Sequence, residues 1–497
     1  MHKISWGILI SLSLFISSCS APSIQRGPSA KTYELSAYEK ANDCHNTVIH
    51  KETLQLWDHV QQQLRHDFVD KRLLEVGDVY ALYDLEIYLR NFLTMVQRCE
   101  DHRELNEIVQ LLLPTATALS PSTNNLRKTW ICKGGDVCLK NKFIGKEVLL
   151  PNLQFAGLIS SVINAISSLP ANERTSDMAK FLKVFLPVII EDHLAVWTKT
   201  YIPRWQKLKT IPKDQVSQNF LNAFDDKDIW MLISLSETLT AASKLENTDT
   251  YTLLPHLKVH LVRAYNTGVE LLRNRISKET ISLASGGKAL IAYFDLGAWS
   301  RYEDMLFAGY RSEKKPLTCG PNGVKTYNVN KKSIPLVPTV NMDISHARRL
   351  VPLFETFLRN EKWMKQNGGL DPDATLSSRE LVTAIANEFA EKVMSQEKPL
   401  FHTYMDGTNG WYRVDYSSGS ACREGDGPYM SSYAGPTGGF GFWAAQNPRI
   451  GATMNKIYLL LSSKREEDQK FVEKYYKNVK EVPLQKFMFL PTLVGTE

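Results

Sequence analysis

The chain has 497 residues, enough for one large domain or two ordinary ones. Its 59 basic residues outnumber 53 acidic ones for a formal charge of +6, spread along the chain with only small clusters such as Lys331-Lys332 and Arg348-Arg349. That pattern excludes a nucleic-acid-binding stripe, and no Cys pair has a His pair at zinc-ligand spacing, so neither a metal site nor a cofactor is expected.

The chain opens MHKISWGILISLSLFISSCS, in which Lys3 precedes an apolar run, Trp6 to Ile16, too short to span a bilayer as a mature helix. Residues 1–18 therefore read as a signal peptide. The run ends Ile16-Ser17-Ser18-Cys19, which resembles a bacterial lipobox: an aliphatic residue, two small residues and the cysteine that takes the lipid. The resemblance implies lipidation at Cys19, a membrane partner through that anchor, and a place in the bacterial envelope. With Ser20 rather than Asp following, it implies the outer membrane if the source is Gram-negative. No later run is expected to cross a membrane. Residues 19–32, rich in Ser, Pro and Gly, read as the lipidated tether, and 33–497 as one large helical domain.

Of the seven cysteines, setting Cys19 aside leaves Cys44, Cys99, Cys132, Cys138, Cys319 and Cys422, an even number in a compartment where disulfides persist. Cys132 and Cys138 flank Lys-Gly-Gly-Asp-Val, whose double glycine can turn a hairpin. Cys44 and Cys99 share the N-terminal helical region, which leaves Cys319 for Cys422. Three disulfides are expected.

Helical periodicity dominates from Leu54, Trp57, Val60, Leu64 and Phe68 through Leu82, Leu85, Leu89, Phe92 and Val96. Further helices are expected near 153–168, 177–201, 227–244, 255–275, 346–360, 379–395, 449–462 and 465–478, with a kink at Pro187. Strand signals are short: Trp130 to Leu139, Val324 to Val329 and Tyr412 to Tyr416. Strands and helices do not alternate as a parallel sheet requires, and no fixed-period repeat marks a solenoid. The expected class is all-α, an α/α toroid of antiparallel helical hairpins with short β-hairpins. Long loops at 276–345 and 401–447 would gather at one mouth.

Two polar stretches, and a third rich in glycine and aromatics, lie in these loops. In Asn341-Met342-Asp343-Ile344-Ser345-His346, Asp343 or Ser345 caps a helix and His346 projects from its first turn. The Asp-x-Ser-His spacing resembles bacterial α/α-toroid proteins, several of which act on polysaccharides; the likeness covers the C-terminal third. In Asp406-Gly-Thr-Asn409-Gly-Trp411-Tyr412-Arg413-Val-Asp415-Tyr416, an extended run would put Trp411, Arg413 and Asp415 on one face, with Trp411 as a plate for a sugar ring. In residues 425–443, glycines interleave with aromatics, including Tyr429 and Trp443. Catalytic candidates are Asp343, His346, Asp406, Tyr412 and Arg413; substrate-binding candidates are Asn409, Trp411, Asp415, Tyr429 and Trp443.

These residues point to a lipid-anchored envelope protein that binds an extracytoplasmic polysaccharide, with its cleavage, by a hydrolase or a lyase, left open. As a hydrolase it would use Asp343 and Asp406 across the bond. As a lyase it would use Tyr412 or His346 as base, with Arg413 and Asn409 neutralising a sugar carboxylate. The alternative is a non-catalytic assembly, adhesion or ligand-binding lipoprotein. Glu237, deep among apolar neighbours, needs a partner if buried.

Overall fold

The computed structural model describes residues 44, 48–122, 127–212, 215, 219–246, 251–283, 286–300, 302, 305–367, 379–416 and 422–495. Residues 1–32, expected as a signal peptide and a tether lipidated at Cys19, lie outside them.

The described chain is mostly helical, with three small two-stranded antiparallel sheets. Helix α1 (Val48–Gln63) runs on as a wider π-helical stretch to Val76, where Gly77 ends it in the left-handed conformation, φ 76°. Then follow α2 (Tyr80–Cys99), α3 (His102–Leu112), the sheet β1–β2 (Leu119–Pro121, Lys128–Trp130) and the short α4 (Asp136–Lys140). Helix α5 (Leu149–Ser168) is the central rod. It packs most extensively on α8 (Asp226–Glu246) and also on α2. Its length and mean hydropathy of 1.4 would suffice to cross a membrane, contrary to the expectation from sequence, but 83% of that stretch is buried inside the fold. Apolarity here serves a core with helices on several sides.

Between these rods, α6 (Ser176–Pro187) and α7 (Ala195–Lys209) are joined by a π-helical turn over Val188–Leu194. Pro187 donates no amide, so the expected interruption falls where the ladder widens. Helix α9 (Pro255–Asn274) leads into the hairpin β3–β4 (Ile276–Ser282, Lys288–Phe294), with Ile276 opposite Phe294. The hairpin β5–β6 follows (Leu317–Cys319, Lys325–Tyr327). Then come the one-turn α10 (Ile344–Ala347), α11 (Leu350–Asn367) and α12 (Arg379–Glu388), with α11 packed on α8 and α12 on β4. The C-terminal helices are α13 (Ala434–Thr437), α14 (Pro448–Ser462), α15 (Glu466–Tyr475), α16 (Lys477–Glu481) and α17 (Pro483–Phe489).

All three cysteine pairs fall as expected: Cys44–Cys99, Cys132–Cys138 and Cys319–Cys422. The expected strand Trp130 to Leu139 is corrected, because Asp136–Lys140 is helical. Tyr412 to Tyr416 is no strand either: only Tyr412 bridges, to Asp426, and Arg413 turns left-handed at φ 54°. Among the missed helices, α3 has a well-separated apolar face, whereas α4, α13 and α17 are short runs.

The two ends of the domain meet. Phe487 lies 5.6 Å from the Trp57 ring and 5.0 Å from the Phe92 ring, and a Cβ at Gly495 would sit 3.1 Å from the Cys44 sulfur.

Polar groups also thread the core. Glu237 on α8 is fully buried and accepts from Ser161 on α5, from Asn164, Thr356 and Asn360, and from the Arg359 guanidinium of α11. Burial would raise its pKa, but Arg359 and these donors outweigh burial and hold it below the ordinary glutamate range.

Candidate functional site

Three non-regular segments lie side by side at one end of α11. Residues 342–344 run against 403–405: Ile344 N–H donates to Thr403 O at 2.9 Å, and Met405 N–H to Met342 O at 3.0 Å. Tyr412 and Asp426 exchange backbone hydrogen bonds of 2.9 and 2.8 Å. Glycine permits the close approaches. A Cβ at Gly410 would sit 1.9 Å from Ala308 O, and one at Gly425, where φ is 89°, would sit 2.8 Å from Tyr412 O.

Asp343 caps α10, accepting from the amides of Ser345 (3.0 Å) and His346 (3.2 Å) and from the Ser345 hydroxyl. Its second oxygen lies 2.5 Å from His346 Nδ1. Burial works to raise this carboxyl, yet His346, Ser345 and Arg413 hold it well below the ordinary aspartate range. An ionised Asp343 fixes the proton on Nδ1 and leaves Nε2 as the acceptor nitrogen. The Tyr412 hydroxyl lies 3.2 Å from His346 Nδ1 and accepts from Arg413 Nε at 2.8 Å. The Arg413 guanidinium also lies over the Tyr412 and Tyr416 rings, at 5.1 and 4.9 Å. Burial pushes the Tyr412 phenol well up and the Asp343 charge adds to it; Arg413 and Ser345 oppose without cancelling. Tyr412 is therefore a neutral phenol, 3% exposed, while His346 and Arg413 are half-buried.

Asn409 joins this knot: Oδ1 accepts from Tyr429 N at 3.1 Å and Thr403 Oγ1 at 3.3 Å, and its amide nitrogen donates to no described group. Tyr429, left-handed at φ 64°, places its hydroxyl 3.3 Å from His402 Nε2, while His402 Nδ1 donates to Lys392 O at 2.7 Å.

Four expected site residues are placed differently. Trp411 is buried in a small apolar cluster with Phe307, Leu317 and Val414, its Nε1 donating to Ser312 O at 2.6 Å, so it offers no sugar plate. Asp415 pairs with Lys325 at 2.7 Å and with the Tyr327 hydroxyl on β5–β6, not with Arg413. Trp443 is fully buried against Phe389 and Phe440. Asp406 accepts from Thr339 Oγ1 (3.0 Å) and Thr408 Oγ1 (2.8 Å), and no hydrogen bond joins it to Asp343. Burial raises the Asp406 carboxyl, with these donors opposing, and its charge contributes to raising the buried Glu388.

Further residues surround the cluster. Trp299 lies 5.7 Å from the His346 ring, Arg349 lies 3.7 Å from Asp226 and donates to Tyr83 OH at 3.0 Å, and the exposed Tyr433 feels the charges of Asp426, Arg413, Asp343 and Arg348. Arg348 has no ion pair among the described residues. The chain matches no protein-family model, no curated protein and no solved structure.

Proposed function

We propose that the Asp343–His346–Tyr412–Arg413 cluster binds an acidic polysaccharide and cleaves it by β-elimination. The observation that carries this reading is the meeting, across 66 residues of chain, of an oriented imidazole, a neutral phenol and an arginine with no ion pair among the described residues. Arg413 and the Asn409 amide neutralise the sugar carboxylate as its neighbouring carbon loses a proton. His346 Nε2 takes that proton, Asp343 being a positioning residue. The carbon–carbon double bond forms as the adjacent C–O bond breaks, and Tyr412 gives its proton to the leaving oxygen. The proton on His346 Nε2 then passes through water to the phenolate that Arg413 Nε–H holds, which restores both groups. Hydrolysis by Asp343 and Asp406 is the poorer fit, because both oxygens of Asp343 are held in α10.

We place this site at the mouth of an α/α toroid, on a protein tethered through lipidated Cys19 to the outer membrane. Metabolic labelling with an alkyne fatty acid, lost in Cys19→Ala, tests the anchor. The near-complete burial of Tyr412 favours a second reading, a glycan-binding rim without turnover. Incubation with uronate-containing glycans, followed by ultraviolet absorbance of unsaturated products, separates the two. Wild type is expected to generate absorbance, with Tyr412→Phe and Arg413→Ala inactive but folded. Binding without absorbance leaves only the rim, and variants as active as wild type overturn both assignments.

A further inference from the structure

We propose a second ligand site, distinct from the Tyr412 cluster: a cation-lined cavity that takes a phosphate-bearing headgroup. The cavity holds about 1030 Å³ and is lined from α2, α11 and α12 and by Cys44 and Gly495. Arg98, Arg359, Lys362, Lys365 and Arg379 face it, against Glu355 and Glu361.

Three of these cations are already engaged. Arg98 donates to Glu355 and to Gly495 O, Arg359 to Glu237, and Lys365 to Glu361 at 2.5 Å. Lys362 and Arg379 are exposed and have no ion pair among the described residues. Two further polar atoms of the lining, Arg359 Nε and Gln446 Oε1, are buried without a hydrogen-bond partner. Both atoms are closed off inside the wall, so the groups the cavity presents to a ligand are the exposed ammonium of Lys362 and guanidinium of Arg379. A phosphodiester fits that charge: its oxygens accept from Lys362 and Arg379.

Position supports the same ligand class. The cavity borders the middle and C-terminal part of α11, roughly 20 Å from His346 at a rise of about 1.5 Å per residue. It also borders Cys44, to which the N-terminal segment connects. If Cys19 carries the lipid, this end of the domain is the one tied to the bilayer, and the phosphodiester belongs to an anionic lipid headgroup. That source assignment rests on the anchor reading; the site itself does not.

The test is isothermal titration of the full-length protein, in uncharged detergent, with sn-glycerophosphoglycerol, inorganic phosphate and sn-glycerophosphocholine. The anionic headgroup is expected to bind, at least tenfold tighter than either other probe, and the Lys362→Ala/Arg379→Ala variant to lose at least tenfold. Raising the salt should weaken binding as well, since Lys362, Lys365 and Arg379 are exposed. Arg413→Ala should bind like wild type, which separates failure here from failure of the glycan site. Equal binding of phosphate removes the headgroup and leaves a phosphate site. Equal binding of the choline probe, no binding at all, or an unaffected double variant overturns the proposal.

Discussion

At the residue scale, Tyr412 combines a hydroxyl beside an imidazole and a guanidinium with a ring in the dark. If it is the acid of an elimination, Tyr412→Phe removes one oxygen and little packing. Turnover should fall about 10²–10⁴-fold, with a melting temperature close to wild type, read by product absorbance and by circular dichroism. Arg413 stands at φ 54° and Tyr429 at φ 64°, conformations that cost an L-residue roughly 1–2 kcal/mol each. Backbone strain of that kind clusters where side-chain placement matters more than stability. Glu388 is a different case: it is buried with Oε1 unpartnered, and burial first, then the Asp406 charge, raise its pKa well above the ordinary glutamate value. The folded protein then holds this proton more tightly than the unfolded chain. Its contribution is therefore present below the ordinary glutamate pKa and lost as pH rises through the folded value. Glu388→Gln should raise the melting temperature at pH 8 and leave it unchanged near pH 4; thermal melts at the two pH values check this.

At the element scale, α10 is a single turn, too short to hold itself, and its cap also orients the imidazole. Asp343→Asn keeps an acceptor for the amides of Ser345 and His346 but removes the charge beside Nδ1, so turnover should fall while stability holds. Asp343→Ala should lose both, with about 0.5–2 kcal/mol of stability going with the cap, measured by urea unfolding. The Glu237 network joins α5, α8 and α11, and Glu237→Ala would strand Arg359 and two asparagines; a loss of about 3–5 kcal/mol is expected in the same assay.

Long amphipathic elements were legible in the sequence. The periodicity around Leu82 to Val96 became α2, and the 227–244 and 255–275 expectations lie within a few residues of α8 and α9. Asp343, His346, Tyr412 and Arg413 were legible as residue types, and the structure brings them together. Trp411, Trp443 and Asp415 misled because polar-aromatic density does not reveal which side of a loop is covered. β5–β6 claims Asp415, and the small apolar cluster claims Trp411. The Cys132–Cys138 pairing was right although the hairpin was not, since six residues of sequence separation bring two sulfurs together in either form.

At the scale of the whole molecule, Cys319–Cys422 ties the β5–β6 arm to the loop that carries Tyr412, closing 103 residues of chain. Replacing both cysteines by serine should lower the free energy of local opening by about 2–5 kcal/mol. Faster hydrogen exchange at amides 411–426, with exchange in α5 unchanged, is the expected signature.

The meeting of Phe487 with Trp57 and Phe92 bears on how the polypeptide is made. An aromatic stack that needs residues 57, 92 and 487 cannot assemble until residue 487 has been made, at a synthesis rate of about 5–20 residues per second. The first helices emerge with an uncovered seam and wait for their closing piece.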